Sequence, residues 1–149
     1  AYLNDGTGTF SDGPTIPVGG INDPRAIAFA DIDADGDLDF AIGAKRTANW
    51  LIRNDKDSGN WLKIKLRSAQ GQAGAFGAKV RVLGTGDTLL GFRESRSNNG
   101  YLGQDDPIIH VGLGSETSVT VEVTFLDGTI RTVTEVEANQ IVTVDATLP

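Results

Sequence analysis

The chain has 149 residues, which is long enough to bury a hydrophobic core in one ordinary domain or two small ones. Its formal net charge of −7 and its scattered Lys and Arg residues argue against nucleic-acid binding, because phosphate contacts need a positive face. The lack of cysteine excludes disulfides, thiolate metal sites and cysteine nucleophiles, and no apolar run approaches the length of a membrane span. Methionine is also missing, so we expect a processed chain or a fragment of a longer protein.

Short runs of β-branched and aromatic residues alternate with Gly, Asp and Asn turns along the whole chain, and nothing indicates an amphipathic helix. This pattern predicts an all-β protein. The strongest hairpin signal is the Asp-Gly pair in "FLDGTI", residues 125–130. In chain order, the predicted strands are Ala1–Leu3, Ala26–Asp31, Leu38–Ile42, Asn49–Arg53, Trp61–Arg67, Ala78–Leu83, Leu89–Ser95, Ile108–Gly112, Val119–Phe125, Ile130–Val136 and Gln140–Val144.

The composition changes near "RNDKDSGN", residues 53–60. Before this segment the chain is acidic and rich in Gly and Asp, and we expect this short part to form only a small hydrophobic core. After it come longer strands such as "SVTVEVTF", in which Val119, Val121 and Val123 would face a core. We therefore predict two domains, a repeat over residues 1–58 and a β-sandwich over residues 59–149.

The segment "DIDADGDLDF", residues 31–40, places an aspartate at every second position with one glycine in the middle. Ca²⁺ takes about six to eight oxygen ligands, and side chains at loop positions 1, 3 and 5 converge on it when a glycine at position 6 bends the chain. Position 7 would contribute its backbone carbonyl, and the carboxylate at position 9 would close the site. The predicted Ca²⁺ ligands are Asp31, Asp33, Asp35, Asp37 and Asp39.

The loop is not an EF-hand, because position 12 is Ile42 instead of glutamate and the flanks "AIAFA" and "FAIGA" are typical of strands. A solvated acidic turn without an ion is disfavoured, since five carboxylates at this spacing would repel one another. Magnesium is a weaker candidate because it keeps several waters. We expect the ion's role to be purely structural, stabilising a turn without signalling or catalysis.

Three segments in the first third of the chain are informative together: "AYLNDGTGTF", "AIAFADIDADGDLDFAIGA" and "NWLIRND", which are residues 1–10, 26–44 and 49–55. With them, this part of the chain resembles an FG-GAP/VCBS-type repeat, the calcium-binding blade unit of integrin-like β-propellers. The first and last segments share one pattern, an aromatic or apolar strand followed by Asn-Asp. Internal repeats with a period of about 50 residues are typical of propeller blades. The resemblance implies a partial propeller-type blade that holds calcium.

The rest of the chain contains four informative segments in order: "GNWLKIKLRS", "GAFGAKVRV", "NNGYLGQDDPIIHVGLG" and "VEVTFLDGTIRTVTEVEANQIVTV". With them, this part of the chain resembles an ASPIC/UnbV domain, the module found at the end of cartilage acidic protein-like chains. The resemblance implies a transthyretin-like β-sandwich after a β-propeller, in a family that is extracellular or periplasmic and non-catalytic.

A closed propeller needs about four to eight blades, and this chain holds little more than one. Either the chain is a C-terminal piece of a longer protein, which we favour, or another chain completes the blade. Unpaired strand edges are templates for pairing with a neighbour. The second alternative would make the chain a self-assembling fibre or adhesin subunit.

The remaining motifs favour structure over catalysis. His110 is the single histidine and lies in a predicted strand, so we expect it to bond to loop backbone; no nucleophile elbow accompanies it. "GQAGAFGAKV" lacks the ending of a phosphate-binding loop and leads into a strand. Asp55 and Asp57 are a poor signal for a second ion, and we expect Trp50 and Trp61 to be packing residues.

The polar connection Arg93–Asp106 is either a recognition loop or a turn packed by Tyr101 and Leu102, and we favour the packed turn.

These observations predict a non-catalytic, calcium-stabilised module that is secreted, on the cell surface or periplasmic, and that binds protein or glycan there. A fibre or adhesin subunit is the alternative. A hydrolase that uses carboxylates as acid and base is disfavoured by the missing nucleophile motif and by the expected use of the aspartates as metal ligands.

Overall fold

The structure is a computed structural model that describes residues 2–56, 59–98 and 100–147. In these ranges the chain forms strands and one short 3₁₀ turn at Thr85–Asp87, so the all-β prediction is confirmed. Each predicted strand overlaps an observed one. The strands are β1 (Tyr2–Asn4), β2 (Phe10–Asp12), β3 (Pro24–Ala30), β4 (Asp39–Ala44), β5 (Trp50–Ile52), β6 (Asn60–Arg67), β7 (Lys79–Leu83), β8 (Leu89–Glu94), β9 (Ile109–Gly114), β10 (Ser118–Thr124), β11 (Ile130–Glu137) and β12 (Gln140–Asp145).

Strand β2 is the one that the sequence pattern did not predict. It has three residues, "FSD", which is too short for an alternation to show. It pairs antiparallel with β1. The side chain at the end of β1 binds the backbone of the intervening turn: Asn4 Oδ1 accepts from the amides of Gly6 and Gly8 at 3.1 and 3.2 Å. The turn chemistry, more than strand propensity, therefore forms this hairpin.

Strands β3, β4 and β5 form an antiparallel sheet in the order β3-β4-β5. The aspartate segment is the connection between β3 and β4, and the pair Ala30↔Asp39 fixes the two ends of this loop opposite each other. We call residues 31–39 the aspartate loop, and the part of the chain from β1 to β5 the repeat.

The second half of the chain contains two sheets that share one hydrophobic core, and we call this part the sandwich. One sheet has the order β11-β10-β7-β8 and is antiparallel. The other has the order β12-β6-β9, in which β12 runs parallel to β6. Core side chains come from both sheets, including Leu62 and Ile64 of β6, Val80 of β7, Val111 of β9 and Val121 of β10.

The predicted alternation in β10 is confirmed. Val119, Val121 and Val123 are at most 3% exposed, whereas the intervening Thr120 and Glu122 are half-buried. The sandwich therefore has the apolar interior that its sequence pattern predicted. The finer predictions, a propeller-type blade and a transthyretin-like sandwich, stay predictions.

Candidate metal centre

The aspartate loop curls around its own side chains. The Gly36 amide donates to Asp31 Oδ2 at 2.9 Å, and the Asp37 amide donates to Asp35 Oδ1 at 2.9 Å. Two residues take left-handed backbone angles, Ala34 with φ of 64° and Gly36 with φ of 99°. Glycine adopts this conformation without steric cost, which explains the glycine at the middle of the loop.

Asp39 closes the loop from inside the fold. Its side chain is fully buried, and its two carboxylate oxygens accept from the amides of Ile32 and Asn54, each at 2.8 Å. The same side chain therefore joins the start of the loop to the segment that follows β5. A buried carboxylate is tolerated because backbone donors satisfy it.

Asp31 is the most unusual member of the loop. Its side chain is 1% exposed and forms an ion pair with the ammonium of Lys63 on β6. Burial alone would raise the pKa of Asp31, but the hydrogen bonds from Lys63 and the Gly36 amide outweigh it, so the pKa lies below the ordinary 3.8. Asp31 Oδ1 is buried and has no hydrogen-bond partner among the described residues.

Carboxylate oxygens of Asp31, Asp33 and Asp39 come within 4.8 Å of one another. A second group with the same spacing contains Asp33, Asp35 and the exposed Asp55. Asp37 contributes a side chain to neither group, and the prediction uses its backbone carbonyl instead. The structure thus brings four of the five predicted aspartates into two groups that share Asp33.

Hard oxygen donors are the ligands that Ca²⁺ prefers. The unpartnered buried Asp31 Oδ1, beside oxygens of Asp33 and Asp39, is the kind of atom that a cation would satisfy. The residues therefore fit a calcium ion.

Two cationic side chains beside the aspartates were not predicted. Lys63 contacts Asp31, and Arg53 lies 3.7 Å from Asp33 Oδ2 and 2.6 Å from Asp55 Oδ1. The hydrogen bond to Asp55 raises the pKa of Arg53, and the charges of Asp55, Asp33 and Asp35 act in the same direction. Little in the sequence indicates the role of Lys63. This residue lies in a strand between the buried Leu62 and Ile64, where an alternating pattern predicts a solvent-exposed side chain.

The sandwich contacts the loop with two further side chains. His110 Nε2 donates to the Gly36 carbonyl at 2.7 Å, which confirms the expected bond to loop backbone. The Trp61 indole lies directly against Gly36. Trp50 and Trp61 are both half-buried strand residues, as expected of packing residues. Asp57, the other half of the weak second ion signal, lies outside the described residues.

The end of the connection Arg93–Asp106 contacts β3. Asp105 Oδ1 accepts from the Phe29 amide at 2.8 Å, and the Asp106 amide donates to the Phe29 carbonyl at 3.2 Å. The expectation that Tyr101 and Leu102 pack this turn is wrong, because they are 68% and 74% exposed. The end of this connection is joined to the repeat by one side-chain and one main-chain hydrogen bond, and its start is joined to the sandwich by main-chain bonds of Ser95 with Ala78 and Gly77.

Two family models match the chain. The ASPIC and UnbV model matches residues 68–147, which is just over half of the chain, and the FG-GAP-like repeat model matches residues 1–42. The chain belongs to the ASPIC and UnbV family. The FG-GAP-like match covers the aspartate loop, and the ASPIC and UnbV match covers β7–β12 of the sandwich.

Relatives of this family member include cartilage acidic protein 1 from Xenopus tropicalis, which is 36% identical over 120 residues, 76% of this chain and 18% of the relative. The Mus musculus protein of the same name is 35% identical over 117 residues, 74% of this chain and 18% of the relative. The Homo sapiens protein is 34% identical over 117 residues, 74% of this chain and 17% of the relative. The chain thus spans under a fifth of the length of these relatives. Within the described residues, no helix has the length and hydropathy that crossing a membrane requires.

Proposed function

We propose that this chain is a non-catalytic interaction module whose aspartate loop binds one Ca²⁺ ion. The side chains of Asp31, Asp33, Asp35 and Asp39 and the carbonyl of Asp37 would hold the ion. One observation carries the proposal: Asp31 Oδ1 is buried, unpartnered among the described residues and close to carboxylate oxygens of Asp33 and Asp39. An ion at this point would satisfy that oxygen and reduce the repulsion among the carboxylates.

The ion would be structural. The aspartate loop joins β3 to β4 and contacts the sandwich, so an ion there would stabilise the turn and its contacts. A role in catalysis has little support, because the single histidine already uses Nε2 to bind the Gly36 carbonyl. Extracellular calcium-binding modules work with dissociation constants of about 0.1–1 mM, so a loop of this kind suits a secreted, cell-surface or periplasmic location.

The partner would be a protein or glycan at the cell surface or in the matrix. Support comes from a cavity of about 370 Å³ between the repeat and the sandwich, which offers both apolar and charged side chains. Its wall includes Phe29, Leu38, Phe92, Arg96, Asp105 and Ile108. Cavities of this size at the junction of two units are typical places for ligand binding.

Thermal unfolding of the full chain tests the calcium proposal. We expect calcium to raise the melting temperature relative to a chelator, since an ion at 100 times its dissociation constant stabilises the native state by about 2.7 kcal/mol. Asp33→Ala should remove the shift, whereas Asp12→Ala, at an exposed position outside the loop, should keep it. Equal melting temperatures of the unsubstituted chain with calcium and with chelator would contradict the proposal.

A second candidate function, self-association through the repeat, has its own observation. Tyr2, Leu3, Phe10 and Leu51 of the repeat are between 55% and 75% exposed. Exposed apolar side chains on short strands with free edges favour pairing between chains. Light scattering of the purified chain with calcium decides this: concentration-dependent oligomers that Leu51→Lys weakens would support it, and a strict monomer at high concentration would contradict it.

A further inference from the structure

The bend of the aspartate loop rests on the sandwich, and Gly36 is the point of contact. A Cβ atom added to Gly36 would lie 1.9 Å from Nε1 and 2.2 Å from Cδ1 of Trp61. No side chain fits in this space, so the glycine is needed for close approach as well as for its left-handed backbone. The indole of β6 therefore sets how near the loop backbone can come to the sandwich.

The two polar groups of Gly36 are both bound. Its amide donates to Asp31 Oδ2 at 2.9 Å, inside the loop, and its carbonyl accepts from His110 Nε2 at 2.7 Å, across to the sandwich. Gly36 thus links the first aspartate of the loop to the histidine of β9.

The contacting side chains stand on rigid parts of the sandwich. The Trp61 and His110 rings stack with centroids 6.4 Å apart and an interplanar angle of 18°. Their neighbours Leu62 and Val111 pair with each other across β6 and β9 and are at most 1% exposed. Side chains whose strands are fixed by a packed core make precise supports for a binding loop.

We propose that Trp61 and His110 are positioning residues for the ion of the aspartate loop. This inference rests on the proposed calcium binding. Asp35 and Asp37 flank Gly36, so a shift of the Gly36 backbone moves two of the five proposed donors. The sandwich therefore sets the geometry of a metal site that the repeat alone encodes. Because coupling between two events is reciprocal, ion binding also strengthens the contact between the repeat and the sandwich.

Calcium titration by calorimetry on the full chain, at one fixed pH, is the first test. We expect His110→Ala to weaken calcium binding about 10-fold or more, as the loss of groups that orient metal ligands does in other sites. His110→Gln keeps a side-chain N–H donor for the Gly36 carbonyl and should restore most of the affinity. Leu126→Ala is the matched control, because Leu126 is 82% exposed. This variant should bind calcium with the affinity of the unsubstituted chain.

The outcomes separate this inference from the proposed function. No calcium binding by the unsubstituted chain would overturn both. Binding that Asp33→Ala abolishes but His110→Ala leaves unchanged would overturn the positioning role alone. An equal loss of calcium affinity in His110→Ala and His110→Gln would also contradict the positioning role, because the hydrogen bond to the Gly36 carbonyl would then not determine the affinity.

Terbium luminescence supplies a second, spectroscopic test that does not depend on the histidine variants. Tb³⁺ replaces Ca²⁺ in oxygen sites and emits when a nearby tryptophan is excited. We expect Trp61→Phe to remove most of the sensitised emission and to weaken terbium binding. Trp50→Phe is the control, because Trp50 pairs with Ile42 and not with the loop end of β4. Unchanged emission and affinity in Trp61→Phe would overturn the role of Trp61.

Discussion

The repeat and the sandwich are stabilised by different kinds of interaction. Each hydrophobic side chain in the buried core belongs to residue 62 or later. Within the described residues 2–56, by contrast, the buried positions are Gly36 and the carboxylate-bearing Asp39. The sandwich is thus held by burial of apolar surface, which is the dominant favourable term in folding. The repeat has strand pairing instead, and its aspartates form ion pairs with Lys63 and Arg53, so we expect its stability to depend on these contacts.

The largest expected effect is the loss of apolar burial in the sandwich. Leu62→Ala removes a fully buried side chain and should lower the free energy of unfolding by about 2–5 kcal/mol. Leu51→Ala in the repeat is the matched control, since Leu51 is 63% exposed and its loss should cost less than about 0.5 kcal/mol. Urea unfolding measures both, and equal losses would contradict the comparison.

The next effect concerns the ion pair between Lys63 of the sandwich and Asp31 of the repeat. Lys63→Met keeps most of the apolar part of the side chain but leaves Asp31 buried without its ion pair, and such changes cost about 3 kcal/mol. We expect this loss in chelator, with calcium restoring more stability than it adds to the unsubstituted chain. Denaturant curves in both buffers measure the difference. A variant as stable as the parent in chelator would show that the ion pair is dispensable.

A smaller effect is expected at the buried carboxylate of the repeat. Asn at position 39 offers one acceptor oxygen, so one of the two backbone amides bound by Asp39 would lose its partner. We expect Asp39→Asn to cost about 1–3 kcal/mol in chelator. Amide exchange at Ile32 and Asn54 checks the cause, since faster exchange at one of them should accompany the loss. Unchanged exchange at both would argue against this role of Asp39.

The smallest effect is a pH dependence in the sandwich. Hydrogen bonds from the Thr129 amide and then from its hydroxyl lower the pKa of Asp127 in the folded chain. The stability that Asp127 contributes is therefore fully present above its pKa in the unfolded chain. It is lost as the pH falls through its pKa in the folded chain. Thermal midpoints at about pH 5 and about pH 3 should therefore differ slightly more for the parent than for Asp127→Asn, which keeps an acceptor but does not titrate. Identical differences would contradict this assignment.

The strands and the core could be predicted because their signals are local. Alternation in "SVTVEVTF" placed Val121 and Val123 inside, and the Asp-Gly pair placed the turn between β10 and β11. The aspartate loop was recognisable for the same reason, since its five aspartates lie within nine residues. Strand β2 was missed because three residues carry no period.

The contacts that support the loop could not be predicted. Lys63 forms an ion pair with Asp31, and His110 donates a hydrogen bond to Gly36. Both pairs are far apart in sequence, and neither contact produces a periodic pattern in the sequence. Their positions depend on how β6 and β9 lie beside the loop, which is a property of the packed sandwich. The division into domains at residues 1–58 and 59–149 also stays a prediction, although the sheets change between β5 and β6.

Amide hydrogen exchange of the full chain, with calcium and with chelator, tests the central claim most directly. We expect calcium to slow exchange in the aspartate loop and at the facing ends of β3 and β4, and to leave exchange in β7 and β10 of the sandwich core unchanged. Exchange in the loop that is equally fast in both buffers would contradict the claim that an ion stabilises the repeat.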